Sequence, residues 1–396
     1  MNQKNKQKRM KKMKRKIKRK IKEKPKKIFN KILFLEKLIL IILLVFIIFY
    51  LFYLRDKFSL KVGVVGVRHE VNIGKNLLKY AISVKLKELG YKPFIIGTVL
   101  EKFNNIEFIN RTTNLIIIKK SFNEIKSDDY DILMVNSDQT WNRFDGFLFD
   151  YGFLQFAENW TTPRFVYAAS LGKELWPYSY KEEKIMKNLL SKFSGISLRE
   201  KECIDVVKEH LGVTPEFVLD PTFLLDKKYY LNLIKNFKGN LEKNSKYIFC
   251  YNIGNSKSIF NLLEKASKKL NFEFYHFPLN NGSSIENFLY YLINSQGVLT
   301  DSYHGTVFSI LFNKPFISIY SEKRISRFKT LGNLFHVNER VFLLKDEINL
   351  DLLVKPLNID YELLEKEKRR SIEFLKKNLK SKFNGQPILT KIKLFL

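Results

Sequence analysis

One repeated order limits the fold more than any other feature of this chain: a short β-branched run, a polar turn, then an amphipathic helix. KVGVVGV (61–67) is the first run, RHEVNIGKN the turn, and NLLKYAISVKLKELG sets Leu78, Ala81, Ile82, Leu86 and Leu89 on one helical face before Gly90. KPFIIGTVL then supplies the next strand. Runs this short and apolar suit strands covered on both faces, and a helix between them makes the strands parallel. The unit recurs in DYDILMVNSDQTWN (129–142), RFVYAASLG (164–172) and SGISLREKECIDVVKEHLG (194–212). EFVLDPTFLL (216–225) adds a strand whose exit Pro221 keeps extended.

A Lys/Asn-rich stretch, KNFKGNLEKNSK (235–246), reads as a linker. A second series follows: YIFCYNIG, the helix SIFNLLEKASKKL, the strand NFEFYHF, the helix ENFLYYLINSQ, the strand GVLTD, the helix TVFSILFN and the strand PFISIY. The predicted class is therefore α/β, with Rossmann-like domains at 60–234 and 247–345 and a charged helical segment at 350–396. The turn after the first strand, with Asn72 and Gly74, is where such sheets bind ligands. It lacks G-x-G-x-x-G, so no dinucleotide cofactor is supported. Cys203 and Cys250, the two cysteines, fit no metal-ligand spacing and read as buried thiols. No His, Cys or carboxylate cluster asks for a metal, and none is expected.

The charge lies unevenly. Residues 1–31 hold 17 Lys/Arg and one acid, Glu23, which is about half of the net +30, so the pI says little about the folded part. Such a tail cannot build a core and should be solvated or lie on something anionic. The next stretch, 32–55, points to anionic membrane lipid rather than nucleic acid, because Leu38 to Leu54 is 17 residues without a charge. As a helix it reaches about 26 Å, a little under the hydrocarbon thickness, with Lys37 and Arg55 able to snorkel. Nine Lys/Arg precede it within 20 residues and four follow within 20, which keeps the tail cytoplasmic. Two arrangements remain open: a single pass, or a monotopic anchor that leaves the catalytic part beside the tail.

LTDSYHGTVFSILFNKPF (299–316) carries the most pointed chemistry. A strand ends on Asp301, and Ser302, Tyr303, His304, Gly305 and Thr306 form the turn into an apolar helix. Histidine at a strand's carboxyl end can give or take a proton near neutral pH, and the first amides of the helix can bind an anion. The plainer possibility is that Ser302 caps the helix and His304 braces a loop.

DILMVNSDQTWN, FVYAASLG, ISLREK, VLDPTFLL and TDSYHGTVFSILFNKPF occur in this order over residues 61–345 and resemble the polysaccharide pyruvyl transferase family. The opening VGVVGVRHEVNIGKNLLKYAI is similar to that family's first strand, turn and helix. The resemblance implies a glycosyltransferase-B-like architecture, two Rossmann-like domains facing a cleft. It also implies transfer of a pyruvyl group from phosphoenolpyruvate, as co-substrate, to the sugar hydroxyls of a cell-surface glycan or lipid-linked saccharide. His304 matches the family's histidine, implied to be a general acid. Arg199 matches an arginine suited to an anionic donor. Asp138, Gln139, Trp141 and Asn142 become a polar wall for the sugar, with Trp141 as stacking platform; the alternative puts Trp141 in the core and Asn142 at a helix cap. The sequence departs from the family where arginine usually stands two places before the histidine; that place is Ser302. Asn136 stands where glycine is usual, and asparagine tolerates a left-handed backbone. That departure keeps two alternatives open: a glycosyltransferase with a nucleotide-sugar or lipid-linked donor, and a non-catalytic scaffold of glycan assembly.

Overall fold

The computed structural model describes residues 10–14, 34–35, 37–48, 50, 59–66, 72–97, 116–119, 122–143, 148–172, 174–239, 245–279, 284–321 and 325–380. The chain divides into two compact units, Met1–Ser59 and Leu60–Leu396. In the first, residues 37–48 are helical with exposed apolar side chains. Among the described residues no helix is long and apolar enough to cross a membrane. Phe49, the end of the uncharged run at 51–54 and most of the basic tail lie outside them.

The second unit is built on two parallel sheets. Its strands are β1 (Lys61–Val65), β2 (Lys92–Gly97), β3 (Ile116–Lys119), β4 (Ile132–Val135), β5 (Arg164–Ala169), β6 (Ile196–Leu198) and β7 (Glu216–Phe217), then β8 (Tyr247–Tyr251), β9 (Glu273–His276), β10 (Gly297–Thr300), β11 (Phe316–Tyr320) and β12 (Val341–Leu343). The first sheet runs β3-β2-β1-β4-β5-β6-β7 and the second β12-β11-β10-β8-β9. All described pairings are parallel, in register from Val62 opposite Ile132 and from Val298 opposite Phe249. Residues 132–135, 164–169 and 247–251 are buried without alternation, as strands covered by helices on both faces must be. The strand order reverses between β1 and β4 and again between β8 and β10, so each sheet opens a ligand crevice there.

The helices that matter for function start at those openings. α1 (Ile73–Glu88) follows β1, and Asn72 caps it by accepting from Lys75 N at 3.3 Å. Further along come α2 (Leu148–Phe153), α3 (Tyr180–Leu190), α4 (Ile204–Leu211), α5 (Lys227–Leu233), α6 (Lys257–Leu270) and α7 (Ile285–Asn294). α8 (Tyr303–Phe312) follows β10, and α9 (Ile325–Phe335) follows β11. α10 (Tyr361–Lys380) ends the described chain and returns to the first sheet. There Phe374 meets Phe165 and Tyr167, and Leu219 N donates to Ser371 Oγ at 2.9 Å. The charged face expected of this helix is real, but Leu364, Phe374, Leu375 and Leu379 bury its other side. Cys203 and Cys250 are free, buried thiols.

Candidate active site

The exits of β4, β6 and β7 bring charged side chains into one dry cluster. Arg199 is the bridge. Its Nη1 donates to Asp220 Oδ2 at 2.6 Å and to Ser137 Oγ at 3.3 Å, and its Nη2 donates to Asp138 Oδ1 at 3.1 Å. Asp220 Oδ1 in turn accepts from Thr222 N at 3.0 Å and Thr222 Oγ1 at 2.6 Å. Burial opposes the Arg199 charge, but Tyr303, Asp220 and Asp138 outweigh it and bind the proton more tightly than water does. Burial likewise pushes the Asp138 carboxyl up, but Lys75, Arg199, His304 and Arg327 hold it well below the usual range. The backbone at Asp138 is strained, with φ +107°, a conformation that costs a non-glycine residue about 1–3 kcal/mol. The left-handed position expected at Asn136 lies two residues further on. Glu200, next to Arg199, serves the loop after β5: it accepts from Ser170 Oγ, from Leu171 N at 3.1 Å, from Gly172 N at 3.2 Å and from Cys203 Sγ at 3.2 Å.

The second sheet contributes the imidazole. Ser302 caps α8, its Oγ accepting from Gly305 N at 3.3 Å and its carbonyl from Thr306 N at 3.0 Å. The Gly305 and Thr306 amides, expected to receive an anion, are thus engaged in the helix's own cap. Gly305 is required by the tight packing on Thr300, whose Oγ1 would stand 2.4 Å from an added Cβ. Asp301 turns the other way and accepts from Ile253 N at 2.6 Å and Gly254 N at 2.7 Å.

His304 crosses from the second sheet to the first. Its ring lies on Gly74 of α1, so close that a Cβ there would stand 2.2 Å from Nδ1. Tyr303 packs edge-on against it at 5.4 Å, and Arg199 stands over the Tyr303 ring at 4.4 Å. His304 Nε2 lies 3.9 Å from Asp220 Oδ2, too far for a hydrogen bond, and it makes none within the protein. Burial pulls the imidazole down to about 4, with Arg199 and Arg327 adding to that and Asp220 and Asp138 opposing it. At neutral pH it is therefore an uncharged ring, able to accept a proton; an anion brought beside it would raise its affinity for one. His304 is 5% exposed.

The profile of the family described as "Polysaccharide pyruvyl transferase" matches residues 42–323, well over half of the chain. The chain belongs to the polysaccharide pyruvyl transferase family. No curated protein matches it in sequence. Among solved structures it is similar to S. aureus MnaA, determined with UDP, at 13% identity and TM-score 0.53 over 82% of this chain and 97% of that one. It is also similar to UDP-GlcNAc 2-epimerase of Methanocaldococcus jannaschii, at 13% identity and TM-score 0.51 over 80% and 99%. These likenesses concern the fold: α/β, two parallel sheets, a glycosyltransferase-B-like arrangement.

Against the positions that the pyruvyl transferase resemblance marked, the geometry divides. His304, Tyr303, Arg199, Asp138 and Gly74 meet at the seam. Trp141 does not. It is 1% exposed, stacks on Phe153 at 5.0 Å and donates to Gly152 O at 2.9 Å, so it is a core residue and no platform for a sugar. Gln139 and Asn142, half-buried, lie against Gly172, where an added Cβ would stand 2.6 and 3.3 Å from their side-chain nitrogens. Asn72 and Ser302 are helix caps, and Thr306 bonds Ser318 Oγ at 2.6 Å. Arg199 is sealed between two carboxylates rather than open to a donor. Sequence reasoning passed over Lys75 and Arg327. Lys75 follows Gly74 directly, which was a usable signal; Arg327 sits in the unremarked helix ISRFKTLGNLF, and only the packing of α9 brings it here. Among the described residues no group of His, Cys, Asp and Glu could hold a metal ion.

Proposed function

We propose that this member of the family transfers a pyruvyl group from phosphoenolpyruvate to two hydroxyls of a sugar in a surface glycan or a lipid-linked saccharide. The observation that carries this is the uncharged, buried His304 standing between the sheets among Asp138, Asp220 and three cations. The chemistry needs a proton on C3 of the enol, attack of one sugar oxygen at C2, departure of phosphate, and attack of a second oxygen to close the ketal. Protons balance: of the two that the hydroxyls give up, one ends on the methyl group and the other leaves with the phosphate. His304 is suited to carry that proton because the donor's negative charge would lift its affinity into the working range. Asp220 and Asp138 would stabilise the imidazolium. The uncharged run of Leu38 to Leu54, with the basic tail, is proposed to hold the enzyme at a membrane with anionic lipid.

A nucleotide-sugar donor is the rival reading, since S. aureus MnaA was determined with UDP on a similar fold. It finds less support here. The turn after β8, at the second sheet's crevice, has its Ile253 and Gly254 amides already filled by Asp301, so it offers a diphosphate no open nest. The test is release of inorganic phosphate from phosphoenolpyruvate by the purified full chain over a broad set of sugar acceptors. Release that disappears in His304→Gln supports the reading. Absence of release, together with thermal stabilisation by nucleotide sugars, refutes it.

A further inference from the structure

Arg199 matches the arginine that the resemblance gives to an anionic donor, yet its side chain is 0% exposed. We infer that Arg199 is a positioning residue and not a donor ligand: it ties the exits of β4, β6 and β7 together and so holds Asp138 and Asp220 at the His304 imidazole. This rests on the reading of His304 as carrier of the proton.

The guanidinium is occupied from both ends and from one face. Nη1 is shared between Asp220 Oδ2 at 2.6 Å and Ser137 Oγ at 3.3 Å, and Nη2 donates to Asp138 Oδ1 at 3.1 Å. The Tyr303 ring lies under its carbon at 4.4 Å. Nε makes no hydrogen bond within the protein, but it is enclosed with the rest of the side chain. An anion is gripped by two N–H groups of the fork, and either Nη that would share one with Nε already serves a carboxylate.

The strand exits need such a tie. β7 meets β6 at two positions only, Ser197 opposite Glu216 and Leu198 opposite Phe217, so the ladder holds the Asp220 turn weakly. Asp138 joins β5 by an isolated bridge to Ala169, and its φ of +107° persists only where surrounding contacts impose it. What Arg199 fixes is the charge around the ring. Asp220 Oδ2, which accepts from Nη1, is also the oxygen 3.9 Å from His304 Nε2. Asp138 beyond β4, Arg199 beyond β6, Asp220 beyond β7 and Arg327 of α9 all act on the imidazole, and Lys75 of α1 stands 4.0 Å from Asp138 Oδ2. Burial weakens the ring's hold on a proton, Asp220 and Asp138 strengthen it, and Arg199 and Arg327 weaken it again. Moving Asp220 therefore alters proton transfer directly, while donor binding does not pass through Arg199 at all.

The experiment is phosphate release from phosphoenolpyruvate by the full-length chain and its Arg199→Lys variant, with kcat and KM separated. Lysine keeps the positive charge but loses the planar fork that spans two carboxylates. The expected result is kcat lowered on the order of 100-fold, with KM for phosphoenolpyruvate within about twofold of wild type. A KM raised about tenfold or more makes Arg199 a donor ligand and overturns the inference, as does a folded variant with wild-type kcat. Thr222→Val serves where Arg199→Lys does not fold. Thr222 is fully buried, so it touches no donor, and it holds Asp220 Oδ1 through its N and Oγ1. It too should lower kcat without raising KM, and wild-type kcat there overturns the inference. A readout free of turnover is the pH at which His304 titrates, followed by NMR and assigned with His304→Gln. Asp220→Asn should lower that pH, and should lower it less in the Arg199→Lys background. Equal shifts in the two backgrounds overturn the inference. Should wild type release no phosphate while the shifts differ, the donor reading falls and the placing of Asp220 by Arg199 stands.

Discussion

Gly74→Ala is the sharpest probe of the seam. A Cβ at this position would stand 2.2 Å from His304 Nδ1, 2.4 Å from Cγ and 2.8 Å from Cβ. Ordinary contact between such atoms is about 3.5 Å, so ring or helix must give by roughly 1.3 Å. Neither yields easily: His304 is in the first turn of a capped helix, and Tyr303 beside it is pinned under Arg199. Alanine in place of glycine favours a helix by up to about 1 kcal/mol, while overpacking costs about 1–3 kcal/mol. In the His304→Ala background the two ring contacts are gone and only the 2.8 Å approach to Cβ is left, so most of the overpacking is relieved. The coupling in a cycle of Gly74→Ala, His304→Ala and the pair should therefore be about 2 kcal/mol, read from urea unfolding midpoints at constant m. Displacement of the ring by an ångström should also lower turnover on the order of 100-fold. Additivity of the two substitutions within about 0.5 kcal/mol would refute the contact and, with it, the reach of His304 across the sheets.

Other perturbations separate the roles of neighbouring residues. The His304 imidazole is pulled down from 6.5 to about 4, so the unfolded chain takes up the proton first, and stability should fall as pH drops from 6.5 toward 4. The loss is about 3 kcal/mol at most, and His304→Gln should remove that part of the slope in unfolding measured across the window. Asp220→Ala strips the fully buried Arg199 of its 2.6 Å partner and should destabilise by about 3–5 kcal/mol in chemical denaturation. Trp141→Phe keeps the stack on Phe153 but loses the bond to Gly152 O, which should cost about 1 kcal/mol in stability and leave KM for the sugar acceptor unchanged. A large rise in that KM would return Trp141 to the sugar site.

Much of this site was legible before any coordinates, and the rest was hidden for definable reasons. Each parallel strand ends its apolar run where the crevice opens, so the polar residues just beyond β4, β6 and β10 point to Asp138, Arg199 and His304. What the run cannot tell is which of those residues face each other. Arg199 pairs with Asp220, 21 residues on, only because β6 and β7 are neighbours in the sheet. Trp141 sits in the same turn as Asp138, but a left-handed step at Asp138 sends the two apart, one to the seam and one to the core. The amides at Gly305 and Thr306 looked open because a helix start always offers them; Ser302, two residues before His304, already satisfies both. Arg327 was invisible to strand-end logic, since it comes from the middle of a helical pattern and enters the site by tertiary packing alone. The return of α10 onto the first sheet was likewise beyond periodicity, which gives a buried stripe without its partner.

The central claim is that His304 carries the proton that turns phosphoenolpyruvate into a ketal. Running the reaction in D2O and reading the product by NMR tests it directly. One deuterium in the pyruvyl methyl for each phosphate released by wild type, with both lost in His304→Gln, is the predicted result. Equal deuterium incorporation and phosphate release by wild type and His304→Gln would contradict it.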